Sequence, residues 1–360
     1  MEIRMNSDIN LSLVMIVKNE ERCLARCLES VKTLVDEMII VDTGSTDKTI
    51  DIAKSYGAKI FHFEWTNDFS EARNFALSKA SGKWRLVLDA DEYVVEGNRE
   101  ALEKQLKKQH IGLVERIDAF NKTGEIQYSR TYIARILPKE VVYQGKIHEQ
   151  IIGEKYIRMP LCLEHDGYLY QDKADRNLEI LFNTCKDEPK NAYMQFQLAH
   201  TLYLAERTKE ALEHFEVFYS LCPSKQSYRA VAVVDYLYCL IDEKRFEQAI
   251  KVIENEKEKY MDYPDFHLAS ASFYREFVLN DIKKNIKYLP LIEEEYLRCL
   301  DLGETDKYDS IEGSGTYIAA YNLGVWYEVT KQNEKAVICY NMADEWGYEK
   351  AKERLKVLGQ

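Results

Sequence analysis

Short apolar runs alternate with amphipathic stretches through the first half of the chain. Leu11–Val17 is apolar at every position but Ser12, the pattern of a strand buried on both faces. From Glu20 to Leu34, apolar residues fall at Leu24, Leu28, Val31 and Leu34, the spacing of one helix face. Met38–Val41 predicts a second strand, Thr49–Tyr56 a second helix and Ala58–Phe63 a third strand. Phe69–Ala80 then predicts a third helix and Trp84–Leu88 a fourth strand. Strands alternating with helices predict a mostly parallel sheet covered on both faces.

From about Asp172 the rhythm changes. No strand pattern remains, and Ala, Leu, Tyr, Glu and Lys dominate. Leu198-Ala199, Leu202, Ala211, Phe215 and Pro223 have the spacing of a tetratricopeptide repeat. Leu323-Gly324, Tyr327, Ala336 and Tyr340 repeat it, and Leu237, Leu240, Ala249 and Ile253 form a weaker copy. Phe266–Leu302 is helical in pattern but out of register, and Glu304–Gly315 reads as a flexible connection. The division expected is an α/β domain over 1–170 and an all-α repeat domain over 171–360.

Composition narrows the function. With 49 basic and 61 acidic residues the net charge is −12, which argues against a nucleic-acid partner needing a basic face. At 46% hydrophobic residues the chain can bury a sizeable core. None of the eight cysteines forms a Cys-x-x-Cys pair, so they read as reduced core thiols, Cys23 and Cys27 included. Met1–Asn10 is polar, and Leu11–Val17 is too short to span a membrane. These features lead to the expectation of a cytoplasmic protein without a transmembrane segment.

The chemistry gathers after the apolar runs, where ligands of open α/β sheets bind. Lys18, Asn19 and Glu20 follow the first run, Asp42-Thr43-Gly44-Ser45 the second, and Asp89-Ala90-Asp91-Glu92 the fourth. In an extended segment Asp89 and Asp91 project to one side, and paired carboxylates suit Mg²⁺ or Mn²⁺. Asp42 begins a strand–turn–helix segment with Ser45, Thr46 or Asp47 as N-cap, and is placed to accept from a base. Arg73 and Asn74 offer a cation and a donor to a diphosphate.

Leu13–Glu21, Val41–Asp47, Ala72-Arg73-Asn74 and Leu88–Glu92 stand in the order and at the distances of a family 2 glycosyltransferase. Over its first half the chain resembles that family. With the repeats it resembles the subgroup of bacteriocin-peptide S-glycosyltransferases and lipopolysaccharide-core glucosyltransferase-like proteins. The resemblance implies a GT-A fold, a Rossmann-like nucleotide-sugar-binding sheet, followed by a TPR-like helical repeat domain. It implies that Asp42 bonds the base, and that the backbone to Val17 and the Glu20 side chain line the nucleoside pocket. Arg73 and Asn74 would sit near base and diphosphate. Asp89 would face the ribose and share the metal shell with Asp91. Gly145–Glu149 and Glu164–Tyr168 resemble segments of the subgroup. Glu149 is the first candidate for general base, with His148 the alternative, and His165 completes the metal shell or touches the diphosphate.

The activity expected is metal-dependent, inverting transfer of a hexose from a nucleotide sugar, a UDP-sugar first, with Mn²⁺ or Mg²⁺ as cofactor. A peptide or protein acceptor is favoured, because such repeats bind peptides. A glycan or lipid-linked saccharide acceptor is the alternative, and a catalytically inactive nucleotide-binding domain on a repeat scaffold a further one. Intact Asp42, Arg73, Asp89 and Asp91 weigh against the latter. Nucleotidyl transfer wants a Gly-rich phosphate loop after the first strand, which Lys18-Asn19-Glu20-Glu21 is not. A homodimer is allowed by the sequence.

Overall fold

The computed structural model describes residues 11–106, 110–122, 125–151, 153, 155–167 and 174–359. Met1–Asn10, Tyr168 and the expected domain boundary at 170/171 lie outside these residues. The chain divides into two units, Met1–Ile180 and Leu181–Gln360.

In the first unit β1 (Leu11–Val17), β2 (Glu37–Asp42), β3 (Lys59–His62) and β4 (Trp84–Val87) run parallel in the order β3-β2-β1-β4. They are joined through α1 (Leu24–Val31), α2 (Thr49–Ser55) and α3 (Phe69–Lys79). Alternation along β1 feeds two apolar layers. Leu13, Met15 and Val17 pack with Leu24, Cys27, Leu28 and Val31 of α1, while Val14 packs with Ala76 and Leu77 of α3. Each fully buried aliphatic side chain contributes roughly 1.5–3 kcal/mol. Asp68 caps α3 by accepting the Glu71 N–H at 3.0 Å.

Beyond β4 the sheet continues through strands that the apolar pattern does not announce. These are β5 (Glu92–Gly97), β6 (Ile111–Lys122), β7 (Glu125–Pro138) and β10 (Tyr156–His165), in the order β4-β7-β6-β10-β5. β7 is antiparallel to β4 and β6, and β10 is parallel to β6 but antiparallel to β5. The sheet is therefore mixed rather than mostly parallel. β6 and β7 escape the apolar pattern because Arg116, Asp118, Arg130 and Arg135 interrupt it, each finding an ion-pair partner. β8 (Tyr143–Gln144) and β9 (Gln150–Ile151) form a small ribbon carrying Gly145–Glu149 between them.

The second unit is built of antiparallel helix pairs. The pairs Ala192–Leu204 with Thr208–Leu221, Arg229–Asp242 with Phe246–Glu256 and Tyr317–Val329 with Asn333–Glu345 share one turn. Glu206, Lys244 and Lys331 sit at φ of 58°, 54° and 62°. The next N–H in each case, from Arg207, Arg245 and Gln332, returns to Leu202, Leu240 and Tyr327 at 2.9, 2.8 and 2.8 Å, the six-to-one bond that closes a helix end. The middle copy is thus a full member of the series, with Leu237, Leu240 and Ala249 completely buried. Gly324 is dictated by packing, since a Cβ there would stand 2.7 Å from the Tyr340 ring. The out-of-register stretch resolves into Pro264–Asn280 and Leu289–Leu302 with a corner between them.

Glu304–Gly315 is tied down rather than flexible. Buried Asp265 accepts from Ser310 Oγ at 2.6 Å and the Ile311 N–H at 2.9 Å. Glu304 accepts from the Gly313 N–H at 3.1 Å and from Thr316 Oγ1 at 2.7 Å. The glycines that suggested slack serve close approach, as a Cβ on Gly315 would lie 1.9 Å from the Gly303 carbonyl oxygen.

Candidate active site at the carboxyl edge of the sheet

β1 and β2 end side by side, and their loops are laced together. The Val17 carbonyl accepts from the Thr43 N–H at 3.0 Å. Asn19 Oδ1 accepts the Thr46 N–H at 2.8 Å, and the Asn19 N–H donates to Ser45 Oγ at 2.9 Å. Glu20 is buried, and its N–H donates to Thr49 Oγ1 at 2.7 Å. Asp42 is 4% exposed and accepts from the N–H groups of Gly44 (3.1 Å) and Ser45 (3.0 Å). Gly44 makes this turn at φ 109°, a conformation that favours glycine. Asp42 Oδ2 also receives the Ser45 N–H at 3.3 Å and has His62 Nδ1 at 3.4 Å, which leaves Oδ1 as the oxygen with acceptor capacity to spare.

Asp89-Ala90-Asp91 lies on the turn between β4 and β5, not on an extended strand. The alternation rule therefore does not apply, and the carboxylates part company. Asp89 Oδ1 meets Arg73 Nη2 at 2.8 Å, and its Oδ2 meets Arg135 Nη2 at 2.8 Å. Arg73 Nε also pairs with Glu149, on the turn between β8 and β9. Arg135 also pairs with Glu92, which is fully buried and bonded to Arg116 Nη1 at 3.0 Å. Burial opposes the charge on Arg73, but Asp89 and Glu149 hold it protonated well above its ordinary range. Among the described residues, Arg73 Nη1, Arg135 Nε and the Tyr143 hydroxyl are buried with no hydrogen-bond partner, so this cluster has donor capacity to spare.

Asp91, 4% exposed, turns instead to His165, whose Nε2 stands 3.7 Å from Asp91 Oδ2. His165 Nδ1 lies 2.6 Å from Asp118 Oδ1, and Asp118 in turn pairs with Arg116 Nε at 2.9 Å. Burial alone would lower the His165 pKa, but the two carboxylates push it up to about 9. The Asp118 carboxyl is held below its usual range because Arg116 and His165 outweigh its burial.

Among the described residues, no three His, Cys, Asp or Glu side chains are grouped to enclose an ion. Asp91 and His165 nevertheless form an open pair. A Cβ on Gly167 would fall 2.3 Å from Asp91 Oδ2 and 2.6 Å from His165 Nε2, with Asp91 Cγ next at 3.0 Å. Glycine therefore leaves a cradle, close to metal–ligand distance from both donors, that any other residue would fill. Two protein ligands fit Mg²⁺ or Mn²⁺, which keep waters and share substrate phosphates.

The other expected site residues have assigned neighbours. The Asn74 amide clasps the backbone of Tyr143, donating to its carbonyl at 2.9 Å and accepting its N–H at 2.8 Å. His148 beside Glu149 has φ 47°. Cys23 donates its thiol to Glu20 Oε2 at 3.2 Å, and burial, with Glu20 beside it, pushes that thiol up to about 12. All eight cysteines are free and buried. Arg135, Arg116, Asp118 and Tyr143 do not stand out in the sequence, and Gly167 does so only as part of the Glu164–Tyr168 segment.

The first unit is an α/β domain with a charged cluster at the carboxyl edge of its sheet, followed in the chain by a helical-repeat unit. Residues 12–163 match the family model described as Glycosyl transferase family 2. A TPR repeat-containing protein of Synechococcus elongatus is 42% identical over 211 residues, covering 53% of this chain and 52% of the relative. The SPbeta prophage-derived glycosyltransferase SunS of Bacillus subtilis is 28% identical over 216 residues, covering 56% and 51%. The chain thus spans about half the length of the curated relatives it matches. Glucosyl-3-phosphoglycerate synthase from Mycobacterium tuberculosis, solved in complex with Mn²⁺, uridine-diphosphate and glucosyl-3-phosphoglycerate, is 26% identical with a TM-score of 0.26, over 31% of this chain and 44% of that one. No helix among the described residues is long and apolar enough to cross a membrane.

Proposed function

We propose that the protein transfers a hexose from a UDP-sugar to a peptide or protein side chain, with inversion and with Mn²⁺ or Mg²⁺ held by Asp91 and His165. The open Asp91–His165 pair over Gly167, with the match of residues 12–163 to the Glycosyl transferase family 2 model, carries this reading. When bound, the divalent ion supplies Lewis-acid neutralisation of the leaving diphosphate. Asp42 accepts from the imide N–H of the base, beside Val17 and Glu20. Arg73, with its unspent Nη1 donor, turns toward the diphosphate. As it does so it releases Glu149, which the ion pair had held in place. Glu149 takes the acceptor proton while the acceptor atom attacks the anomeric carbon and the diphosphate departs. A carboxylate is the better choice for base than His148, because Glu149 already lies on the Arg73–Asp89 cluster.

The test is a thermal-shift series with UDP, GDP, CDP and TDP, each with and without Mn²⁺. Ligand at a hundred times its Kd stabilises the native state by about 2.7 kcal/mol. UDP with Mn²⁺ should raise Tm in the native protein and not in Asp91→Asn. Mass spectrometry of peptide, glycan and lipid-linked acceptors incubated with UDP-hexose then identifies the product. Absence of any nucleotide shift overturns the reading.

A further inference from the structure

The corner between the helices Pro264–Asn280 and Leu289–Leu302 has its polarity inverted. Asn285 is 3% exposed, while Ile282 and Ile286 beside it stand 54% and 58% exposed. Leu279 at 53% and Leu289 at 37% extend the apolar surface at both ends. This is not slack chain. Asp281 accepts the Lys284 N–H at 3.2 Å and starts the short helix Ile282–Asn285. The Asn285 amide donates to the Phe277 carbonyl at 2.7 Å. The Tyr288 ring packs on Tyr274 and Phe277, with centroids 6.0 and 5.3 Å away. A buried amide and a packed tyrosine fix the corner, and the isoleucines are held outward.

Lys283, Lys284 and Lys287 are interleaved with these residues and all are exposed. Among the described residues no ion pair engages them. Of the carboxylates nearby, Asp281 caps the short helix, Glu293 meets Tyr327 and Lys335, and Glu295 meets His267. In a chain of net charge −12, this corner joins cations that no carboxylate engages among the described residues, Lys287 lying 4.9 Å over the Tyr288 ring, to exposed aliphatic side chains.

We infer that the corner docks onto an anionic lipid surface. Aliphatic side chains settle at the hydrocarbon boundary, and lysines reach headgroup phosphates on long stems. A second copy of the chain fits less well, since a two-fold contact sets a patch against itself and would oppose lysine to lysine. A nucleic acid would leave the isoleucines without a partner. The attachment is peripheral, and it stands independently of the proposed transfer.

The experiment is co-sedimentation of the full chain with vesicles of phosphatidylcholine alone or mixed with phosphatidylglycerol, at low and high salt. The mixed vesicles should bind and the neutral ones should not, and salt should release the protein. Replacing the lysines together (Lys283→Glu, Lys284→Glu, Lys287→Glu) should lower the partition coefficient by about 100-fold or more, each lysine near the surface counting roughly fivefold. The pair Ile282→Ser, Ile286→Ser should weaken binding while leaving the salt dependence in place. Unchanged Tm of both variants keeps misfolding out of the comparison. Binding to neither vesicle, equal binding to both, or indifference to the lysine changes overturns the inference. A concentration-dependent dimer that the isoleucine pair dissolves, without vesicle binding, overturns it in favour of self-association.

Discussion

Gly167→Ala adds one methyl group at the point where the site is most exacting. Its Cβ would stand 2.3 Å from Asp91 Oδ2 and 2.6 Å from His165 Nε2, short of ordinary 3.4 Å contact by about 1.1 and 0.8 Å. Neither neighbour yields easily. Asp91 is 4% exposed, and His165 is held through Nδ1 by Asp118 at 2.6 Å. Metal sites tolerate displacements of only about 0.2 Å, so the methyl group both occupies the cradle and spreads its donors. The expected loss is at least about 100-fold in Mn²⁺ affinity, or roughly 2.8 kcal/mol. Overpacking alone costs about 1–3 kcal/mol in stability, which separates the two effects. Isothermal titration or the Mn²⁺ electron paramagnetic resonance signal measures the first, and Tm without metal the second. Mn²⁺ bound by Gly167→Ala as tightly as by the native protein would refute the assignment of Asp91 and His165 as the ligand pair.

The remaining predictions address the surroundings of the site and the second unit. Asp118→Asn removes the charge that orients His165 and should weaken Mn²⁺ binding about 10–100-fold; unchanged affinity by titration would show that Asp118 is not positioning the ring. Glu149→Gln should lower the transfer rate by about 10²–10⁴ while the Tm shift with UDP and Mn²⁺ persists, and full turnover would remove Glu149 as the base. Asp265 has a carboxyl raised to about 6 by burial, against the bonds from Ser310, Ser314 and Ile311. Its folded pKa lies above the unfolded one, so its contribution to stability is present below the unfolded value and lost as pH rises through about 6. Relative to Asp265→Asn, the native helical unit should lose up to about 3 kcal/mol between pH 4 and pH 7; parallel urea midpoints for the two chains across that range would contradict this.

Apolar patterning carried the sequence reading as far as contacts stay local. Val17, Asp42 and the Asp89–Asp91 segment were legible because each follows a buried run, and chain order alone brings such residues to one edge of a parallel sheet. Arg135 and Asp118 were not. Their partners Asp89 and His165 lie 46 and 47 residues away, and their strands carry charged residues that resemble a solvated face. The weak middle repeat was under-read for a related reason. Leu237, Leu240, Ala249 and Ile253 are buried like their counterparts, but the shared feature is the six-to-one turn at Lys244, which has no glycine to mark it. The loop Glu304–Gly315 reads as slack in the sequence because glycine signals freedom and close packing in the same letter.

What the sequence by itself determined was the parallel core, the helical repeats and the residues delivered to the sheet edge. All of these follow from periodicity and from short-range chain geometry. Only the tertiary structure decided how the charges divide: Asp89 goes to the arginines and Asp91 to His165, although a single residue, Ala90, separates them in sequence. That division arises because the segment bends into a turn between β4 and β5, where alternation no longer governs direction. Buried Asp91 and half-buried Asp89 then settle on whichever cations and donors the distant strands β6, β7 and β10 bring within reach.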